Sequence, residues 1–454
     1  MAATRTMTAT EVIDNQPLSR FQIGTILMCG FVAVLDGFDT QSIGFLAPSM
    51  AETLGVPLKS FAPVFVAGLL GLMFGAGTLG PAADRFGRKW LIVISTLVFG
   101  LFSFLTAFAS SFDELLVFRF LTGLGLGGAM PNVVALTTEY APKRMQTIFV
   151  SMLFTGMPLG AVLGGLVAAA LLPRWGWQSV FYVGGLLPLA MAVILTAKLP
   201  ESVRFLIVRG GNRERITAIM ARVAPGFAGV RDVRFVPGAA APKGLPVKHL
   251  FTEGRALGTI LLWVPYFMNL LIIYFVISWL PAVLRQANMP ISAGVTAITL
   301  FSLGGIFGSL IQGVTMEKAG ATRVLYIEFF VSMLLIGSLA ILPASYGLIV
   351  GVAFILGIVV QGAQAGLNAL VADYYPTAIR STGVGCALGV GRIGSIVGPV
   401  LGGVMLSLDW NLNQIFLAGT VPALCAGVAV LAGSNLRLAN ARRAAPAVRA
   451  PSPS

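Results

Sequence analysis

The sequence has a single histidine, three cysteines and very little charge: only 10% of its 454 residues are Asp, Glu, Lys or Arg. His249 stands alone in a polar stretch, so neither a histidine-built metal site nor a Ser-His-Asp relay has its parts. Cys29, Cys386 and Cys425 lie far apart in apolar runs, without metal-ligand spacing, and read as small buried hydrophobes. Acidic residues are scarcer than basic ones, 17 against 30, which leaves a net charge of +13. A soluble domain carries about 25% charged residues and about 45–50% apolar ones. Here 57% are apolar and the mean hydropathy is +0.89, more apolar surface than a water-soluble enzyme can bury. A soluble enzyme is excluded, no catalytic constellation is present, and no cofactor or metal is expected. Residues 1–20 are polar and the first apolar run is too long for a signal-peptide core, so no cleavable leader is expected.

What is present is a set of long apolar runs. A bilayer core of about 30 Å needs about 20 apolar residues in helix. Twelve runs qualify, near 21–48, 60–80, 90–110, 115–138, 147–172, 178–198, 256–284, 293–315, 323–342, 347–372, 382–406 and 413–434. The predicted fold is an all-α integral membrane protein in two six-helix halves, 21–198 and 256–434. A short segment 1–20 precedes them, an Arg- and Pro-rich linker 199–255 joins them, and a tail 435–454 reads as disordered.

The basic residues explain themselves once the runs are drawn. Placing both termini and the linker on one side puts 25 of the 30 Lys and Arg there and only Lys59, Arg174 and Arg285 on the other. Cytoplasmic loops are the ones enriched in Lys and Arg, so both termini are expected in the cytoplasm of a bacterial inner-membrane protein. The positive charge marks a membrane face, and no nucleic-acid partner is expected.

The halves repeat. Gly80-Pro-Ala-Ala-Asp84-Arg85-Phe-Gly87 returns as Gly313-Val-Thr-Met-Glu317-Lys318-Ala-Gly320, 233 residues later. Leu136-Thr-Thr-Glu139-Tyr140-Ala-Pro142 returns as Leu370-Val-Ala-Asp373-Tyr374-Tyr-Pro376, and Gly160 and Gly164 as Gly394 and Gly398, at an offset of 234. Such parallel repeats belong to a known transporter architecture, with the substrate site between the halves near the bilayer midplane.

Four buried charges stand out, because an ionisable group inside a span costs about 2.5–3.5 kcal/mol or more to insert and is usually functional. Asp36 and Asp39 are three residues apart in the first span and share a helical face. A proton carrier needs a carboxylate that binds and releases a proton in a low-dielectric site, and no span contains a histidine to do this instead. Gly37 between them gives a neighbouring helix room to approach. Arg392 lies about 16 Å into the eleventh span at 1.5 Å per residue, where a guanidinium can hold a carboxylate through two hydrogen bonds or serve as an interhelical ion pair. Arg119, near the outer end of the fourth span, is a partner for either Asp36 or Asp39.

The loop Gly80-Pro-Ala-Ala-Asp84-Arg85-Phe-Gly87-Arg88-Lys89 resembles the signature loop of the major facilitator superfamily. Asp36-Gly-Phe-Asp39, and the run from Arg119 through Gly123, Pro131 and Asn132 to Glu139-Tyr-Ala-Pro142, resemble the aromatic acid:proton symporters within it. Pro200-Glu-Ser-Val-Arg204 is shared more widely, including with sugar porters. The resemblance covers residues 20–435. It implies a proton-coupled importer of hydroxybenzoate-like acids, driven by the proton gradient and working as a monomer by alternating access. Arg119 matches the superfamily's fourth-span arginine, which the resemblance links to proton coupling. Asp84 would meet the start of the eleventh span, where a carboxylate suits the positive helix end, and Gly80, Asp84, Arg85, Gly87 and Arg88 would form a conformational latch. Glu317 departs from the aspartate usual in the second copy, so that latch is expected to be weaker.

Glu139 and Asp373, at span ends, are expected to form charge networks with Lys143, Arg144 and Arg380 that support the latch. Glu328, in the ninth span, is expected to pair with a cation near the cytoplasmic face. An aromatic acid wants ring contacts and a few polar groups in a mostly apolar cavity. Phe38, Tyr266, Phe267, Tyr274 and Phe301 are the candidate walls, and Gln41, Asn132, Asn269, Gln361, Gln364 and Asn368 the candidate polar contacts, with Arg392 for the carboxylate. Asn269 stands 233 residues after Asp36, a neutral residue at the repeated position. Gly394, Gly398-Pro399, Gly402 and Gly403 resemble an antiporter glycine motif, but in the eleventh span rather than the fifth, which argues against drug efflux. Rival readings are a transporter of another organic acid, a sugar or a drug, and a non-transporting membrane sensor.

Overall fold

The computed structural model describes residues 5–209, 213–224, 233–236, 247–252, 254–286, 288–341, 345–376 and 379–444. Among these residues, twelve helices are long and apolar enough to cross a membrane. The first half holds α2 (Arg20–Leu54), α3 (Ala62–Phe86), α4 (Arg88–Thr106), α5 (Phe112–Tyr140), α6 (Lys143–Trp175) and α7 (Gln178–Lys198). The second holds α10 (Ala256–Gln286), α11 (Ile291–Ala319), α12 (Ala321–Ile341), α13 (Tyr346–Tyr374), α14 (Arg380–Ser407) and α15 (Leu412–Ala444). A helix satisfies its own backbone, which lipid cannot, so continuous apolar runs have little alternative. Their ends follow local chemistry. Ser19 and Gln22 form a capping box at the start of α2. Ser111 and Ser345 accept backbone N–H groups at the starts of α5 and α13. Gly55, Gly87, Gly176 and Gly320 leave their helices at φ values of 65°, 93°, 72° and 85°, which favour glycine.

The linker is more structured than expected. Segment 199–255 contains α8 (Val203–Val208) and α9 (Arg213–Val223), and a short helix α1 (Ala9–Asp14) precedes the first span. Val12 and Ile13 of α1 and Ile216, Met220 and Val223 of α9 join one buried cluster with the ends of the first-half helices. Apolar positions at helical spacing in otherwise polar segments pack both helices under that half. Two four-residue strands, β1 (Arg5–Thr8) and β2 (Val233–Val236), pair in parallel and bring the N-terminal segment to the linker, a small addition to the all-α architecture. Of the tail 435–454 expected to be disordered, residues 435–444 continue α15 as helix; 445–454 lie outside the described residues.

Inside each half helices interlock in pairs through glycine, α3 with α5 among them. A Cβ on Gly71 would strike the Phe120 carbonyl, and one on Gly123 the Gly68 carbonyl, so α3 and α5 lie backbone to backbone. The same contact recurs between α11 and α13, where Gly304 meets the Phe354 carbonyl and Gly357 the Phe301 carbonyl. Gly71 and Gly304 are 233 positions apart, and Gly123 and Gly357 are 234 apart, so the repeat read in sequence is also a repeat of packing.

The halves meet at the end of the bundle away from the linker. There Arg285 donates to Glu52 at 2.9 and 3.1 Å, and Lys59 lies 3.6 Å from Asp409. Phe65 stacks edge-on against Trp279 at 5.3 Å, while Gly403 lies against Ala62 and Gly165 against Thr299. Among the described residues, both ion pairs that bridge the halves lie at this far end.

Candidate functional site

The four span charges sort into unequal environments. Asp36, Asp39 and Arg119 are 1%, 1% and 3% exposed. Arg119 on α5 grips both oxygens of Asp39, Nη1 donating to Oδ1 at 3.2 Å and Nη2 to Oδ2 at 2.8 Å. Ser103 on α4 adds a donated hydrogen bond to Asp39 Oδ1 at 2.5 Å, and the Arg119 guanidinium lies 5.7 Å from the Phe181 ring. Of the two partners the sequence left open for Arg119, the structure selects Asp39.

Asp36, one turn earlier, accepts from the Thr40 hydroxyl at 3.0 Å and has no guanidinium or ammonium in hydrogen-bond reach among the described residues. Its helix can sit this deep because Gly37 lies against the backbone of Met157 on α6, where a Cβ would collide.

Arg392, on α14, is half-buried and donates to the Tyr274 hydroxyl at 3.2 Å. Among the described residues it has no carboxylate partner. With no carboxylate among them within hydrogen-bond reach, its guanidinium fork is free to take the carboxylate of an incoming anion. Gly391 and Gly394 beside it are needed for packing as well as space: a Cβ on Gly394 would strike the Phe267 carbonyl and one on Gly391 the Tyr266 ring.

The candidate polar contacts of the second half converge. Tyr266 hydrogen-bonds Asn368, and Gln364 lies 3.4 Å from the same oxygen. Asn269 donates to Gln364 at 2.9 Å and to the Val360 carbonyl at 3.1 Å, giving a polar chain between α10 and α13. Gln361 donates to the Phe301 carbonyl at 3.2 Å. Gln41 of the first half accepts from Ser302 of the second at 2.9 Å, a polar tie across the seam. Phe38, Tyr274 and Phe301 are buried, as walls would be. Asn132 is placed differently: it donates to the carbonyls of Gly128 at 2.8 Å and Leu79 at 3.5 Å, so its amide joins α5 to α3 and is already spent on backbone.

A small pocket lies against this seam, with Thr40, Arg119, Tyr274 and Ser278 on its wall. A larger one lies within the second half and is lined by apolar side chains such as Leu271, Phe275, Ile336 and Met405. No charged side chain reaches it, so the smaller cavity beside the ion pair is the one with chemistry.

At the linker end the signature loop contacts the linker. Gly87 turns the chain at φ 93°, and the Glu201 carboxylate lies against it, accepting from the backbone N–H of Lys89 at 3.1 Å and of Ser202 at 2.8 Å. The carboxylate thus caps the start of α4. Tyr140 donates to the Glu201 carbonyl at 2.7 Å, and Arg209 donates to the Arg85 carbonyl at 2.8 Å. Gly80 lies against Pro131. The Asp84 side chain lies outside the described residues. Glu201 was legible only as part of a shared motif, and Ser103 carried no signal, since a serine in an apolar run does not announce a partner 64 residues away.

Three expectations about charge are corrected. Glu139 pairs with Arg88, not with Lys143 or Arg144, because the end of α5 faces the start of α4. Lys143 and Arg144, beyond the Pro142 turn, reach Asp14 and the carbonyls of Asp14 and Gln16 instead. Asp373 is exposed and unpaired among the described residues, and Arg380 turns to the Tyr375 carbonyl at 3.4 Å. The reason lies in the repeat: the position 233 after Arg88 is Ala321, so the second half lacks the cation. Glu317 is likewise exposed, without a bond among the described residues. Glu328 accepts from Gln312 at 3.1 Å and forms no ion pair among them.

The family model described as Major Facilitator Superfamily matches residues 29–363 and 297–453. A gallate transporter of Pseudomonas putida is 41% identical over 440 residues, covering 97% of each chain. The 4-hydroxybenzoate transporter PcaK of Pseudomonas putida is 39% identical over 420 residues, covering 92% of this chain and 94% of the relative. Among solved structures, the xylose transporter XylE of E. coli in an inward open conformation matches with a TM-score of 0.67, covering 91% of this chain and 95% of the other. At 18% identity that likeness speaks for the fold alone. Twelve membrane helices in two repeated halves, the matching family model and relatives of this similarity make the chain a member of the Major Facilitator Superfamily, in its aromatic-acid transporter branch.

Proposed function

We propose that this protein imports a hydroxybenzoate-like aromatic carboxylate together with protons, by alternating access, across a bacterial inner membrane with both termini in the cytoplasm. The observation that carries the reading is Arg392: a guanidinium in the middle of a span, tied to the Tyr274 hydroxyl and to no carboxylate among the described residues. It stands ready for an anion, and the charge-assisted fork suits a carboxylate. The relatives' cargoes, gallate and 4-hydroxybenzoate, are anions of that kind. The orientation rests on the 25 basic residues gathered on one face.

In this reading Asp36 takes the proton, since it lacks the guanidinium that holds Asp39. The proton neutralises Asp36 while the substrate carboxylate neutralises Arg392. The net charge of the site is unchanged, but no charge in the loaded site is left unpaired, which lowers the cost of closing around it. The halves rock about the seam, and the higher cytoplasmic pH draws the proton off Asp36. Arg119 and Asp39 hold the fixed half of the site.

The test is uptake into proteoliposomes of labelled benzoate, 4-hydroxybenzoate, protocatechuate, gentisate and gallate, with and without a protonophore. Uphill accumulation of at least one acid, abolished by the protonophore and by Asp36→Asn, is expected. Arg392→Gln should weaken apparent affinity by about 10- to 100-fold, the range for losing a charge-assisted hydrogen-bonded contact. Undiminished accumulation by Asp36→Asn would sink the coupling proposal, and an unchanged affinity in Arg392→Gln the substrate assignment.

A further inference from the structure

A second site lies outside the seam. Between the start of α2 and the end of α7 a groove of about 680 Å³ is lined by Arg20, Phe21, Gly24, Met28, Lys198 and Arg222. Three cations from three separate elements converge on it: Arg20 is the first residue of α2, Lys198 the last of α7, and Arg222 lies in the last turn of α9. None of the three has an ion-pair partner among the described residues, and no acidic side chain lines the groove. The first turn of α2 also holds no acidic residue, so its positive helix end adds to the field.

The arrangement is held in place. The Arg222 guanidinium lies over the Phe21 ring, 4.1 Å from its centroid. The buried face of α9, through Ile216, Met220 and Val223, fixes the helix that carries it. The Thr25 hydroxyl is turned inward to the Phe21 carbonyl at 2.9 Å, leaving Gly24 with open space above it. Within about one helical turn of the groove residues on the same two helices, the apolar side chains Ile23 and Leu27 of α2 and Val193 and Ile194 of α7 are exposed. Like charges do not cluster on a surface without cost, and among the described residues no acidic group lines the groove to offset them.

We infer that this groove binds an anionic phospholipid, whose headgroup phosphate sits among Arg20, Lys198 and Arg222 while an acyl chain runs past Gly24 and Leu27. The apolar extension selects a lipid over a free phosphate, and its position on the outer flank of the first half separates it from the transport path. Basic pockets between membrane helices at the positively charged face are suited to anionic headgroups. The bound phosphate joins the linker helix α9 to the first and sixth spans, and so fixes the linker to the first half.

Native mass spectrometry of the full-length protein in detergent, titrated with phosphatidylglycerol or phosphatidylcholine, tests the site. Phosphatidylglycerol should bind preferentially, with affinity reduced about a hundredfold in Arg20→Gln/Lys198→Gln/Arg222→Gln, the product of three surface charges. It should be unaltered in the control Lys248→Gln/Lys318→Gln/Arg323→Gln. The charge-preserving Arg20→Lys/Arg222→Lys should retain binding, which separates loss of charge from loss of fold. A photoreactive phosphatidylglycerol should crosslink to segment 20–28 of the unaltered protein. Equal binding by the triple variant and the control, no preference over phosphatidylcholine, crosslinks confined to other segments, or displacement by millimolar inorganic phosphate would each overturn the inference.

Discussion

Arg119 holds Asp39 through both carboxylate oxygens, deep in the first half and away from water. Breaking such a pair from one side leaves an uncompensated buried charge and costs about 3–5 kcal/mol. Asp39→Asn and Arg119→Gln should each unfold at lower temperature in detergent and lose transport. The double variant should recover much of the thermal stability without recovering uphill uptake. A double variant no more stable than either single one would show that the pair is not the main element of stability there.

The glycine seams predict sharply different tolerance within one residue type. Gly71→Val and Gly304→Val drive a side chain into a neighbouring backbone carbonyl, which cannot move aside, whereas Gly77 and Gly313 face open space. The first two should abolish monodisperse expression, measured by size-exclusion chromatography. Gly77→Ala and Gly313→Ala should leave it unchanged.

Ala321 stands where the first half has Arg88, and Asp373 where it has Glu139. Ala321→Arg should supply Asp373 with the missing cation. A surface pair of this kind is worth up to about 1 kcal/mol, so a rise of about 1–2 °C in melting temperature is expected. Removing the acid as well, with Asp373→Asn, should erase the gain.

Glu52 and Arg285 tie the halves together at the far end, with side chains 54% and 43% exposed. An exposed pair contributes about 0.2–1 kcal/mol, so Glu52→Gln should shift the balance between open states by up to about fivefold. Greater labelling of a cysteine placed at position 58, with less labelling of one at position 380, is the expected outcome. The reverse shift would mean that the pair does not hold the far end closed.

The twelve spans were legible because lipid leaves a backbone one cheap conformation, and run length then fixes the element. The repeat was legible for a related reason: close helix contacts demand glycine at fixed spacing, as Gly71 and Gly304 show. The pairing of charges was not. Helical spacing put Asp36 and Asp39 on one face but did not say which of them Arg119 would reach, because that depends on the relative rotation of α2 and α5. Glu139 was assigned to its sequence neighbours Lys143 and Arg144, while packing gave it Arg88, 51 residues away. The linker misled differently: α9 is amphipathic but short and highly charged, and its buried face shows only once the helix is packed into the cluster beneath the first half.

The backbone interlock of α3 with α5, and of α11 with α13, has a mechanical consequence. Helices locked carbonyl to Cα have no side-chain layer to deform, so each half behaves as a stiff plate. Between the plates the contacts are of another kind: Gln41 with Ser302 and Glu52 with Arg285 are polar side-chain pairs that can exchange partners, while Gly44 against the Ile277 carbonyl keeps one close backbone contact across the joint. Rocking of one plate on the other therefore needs polar side chains to trade partners rather than either plate to bend.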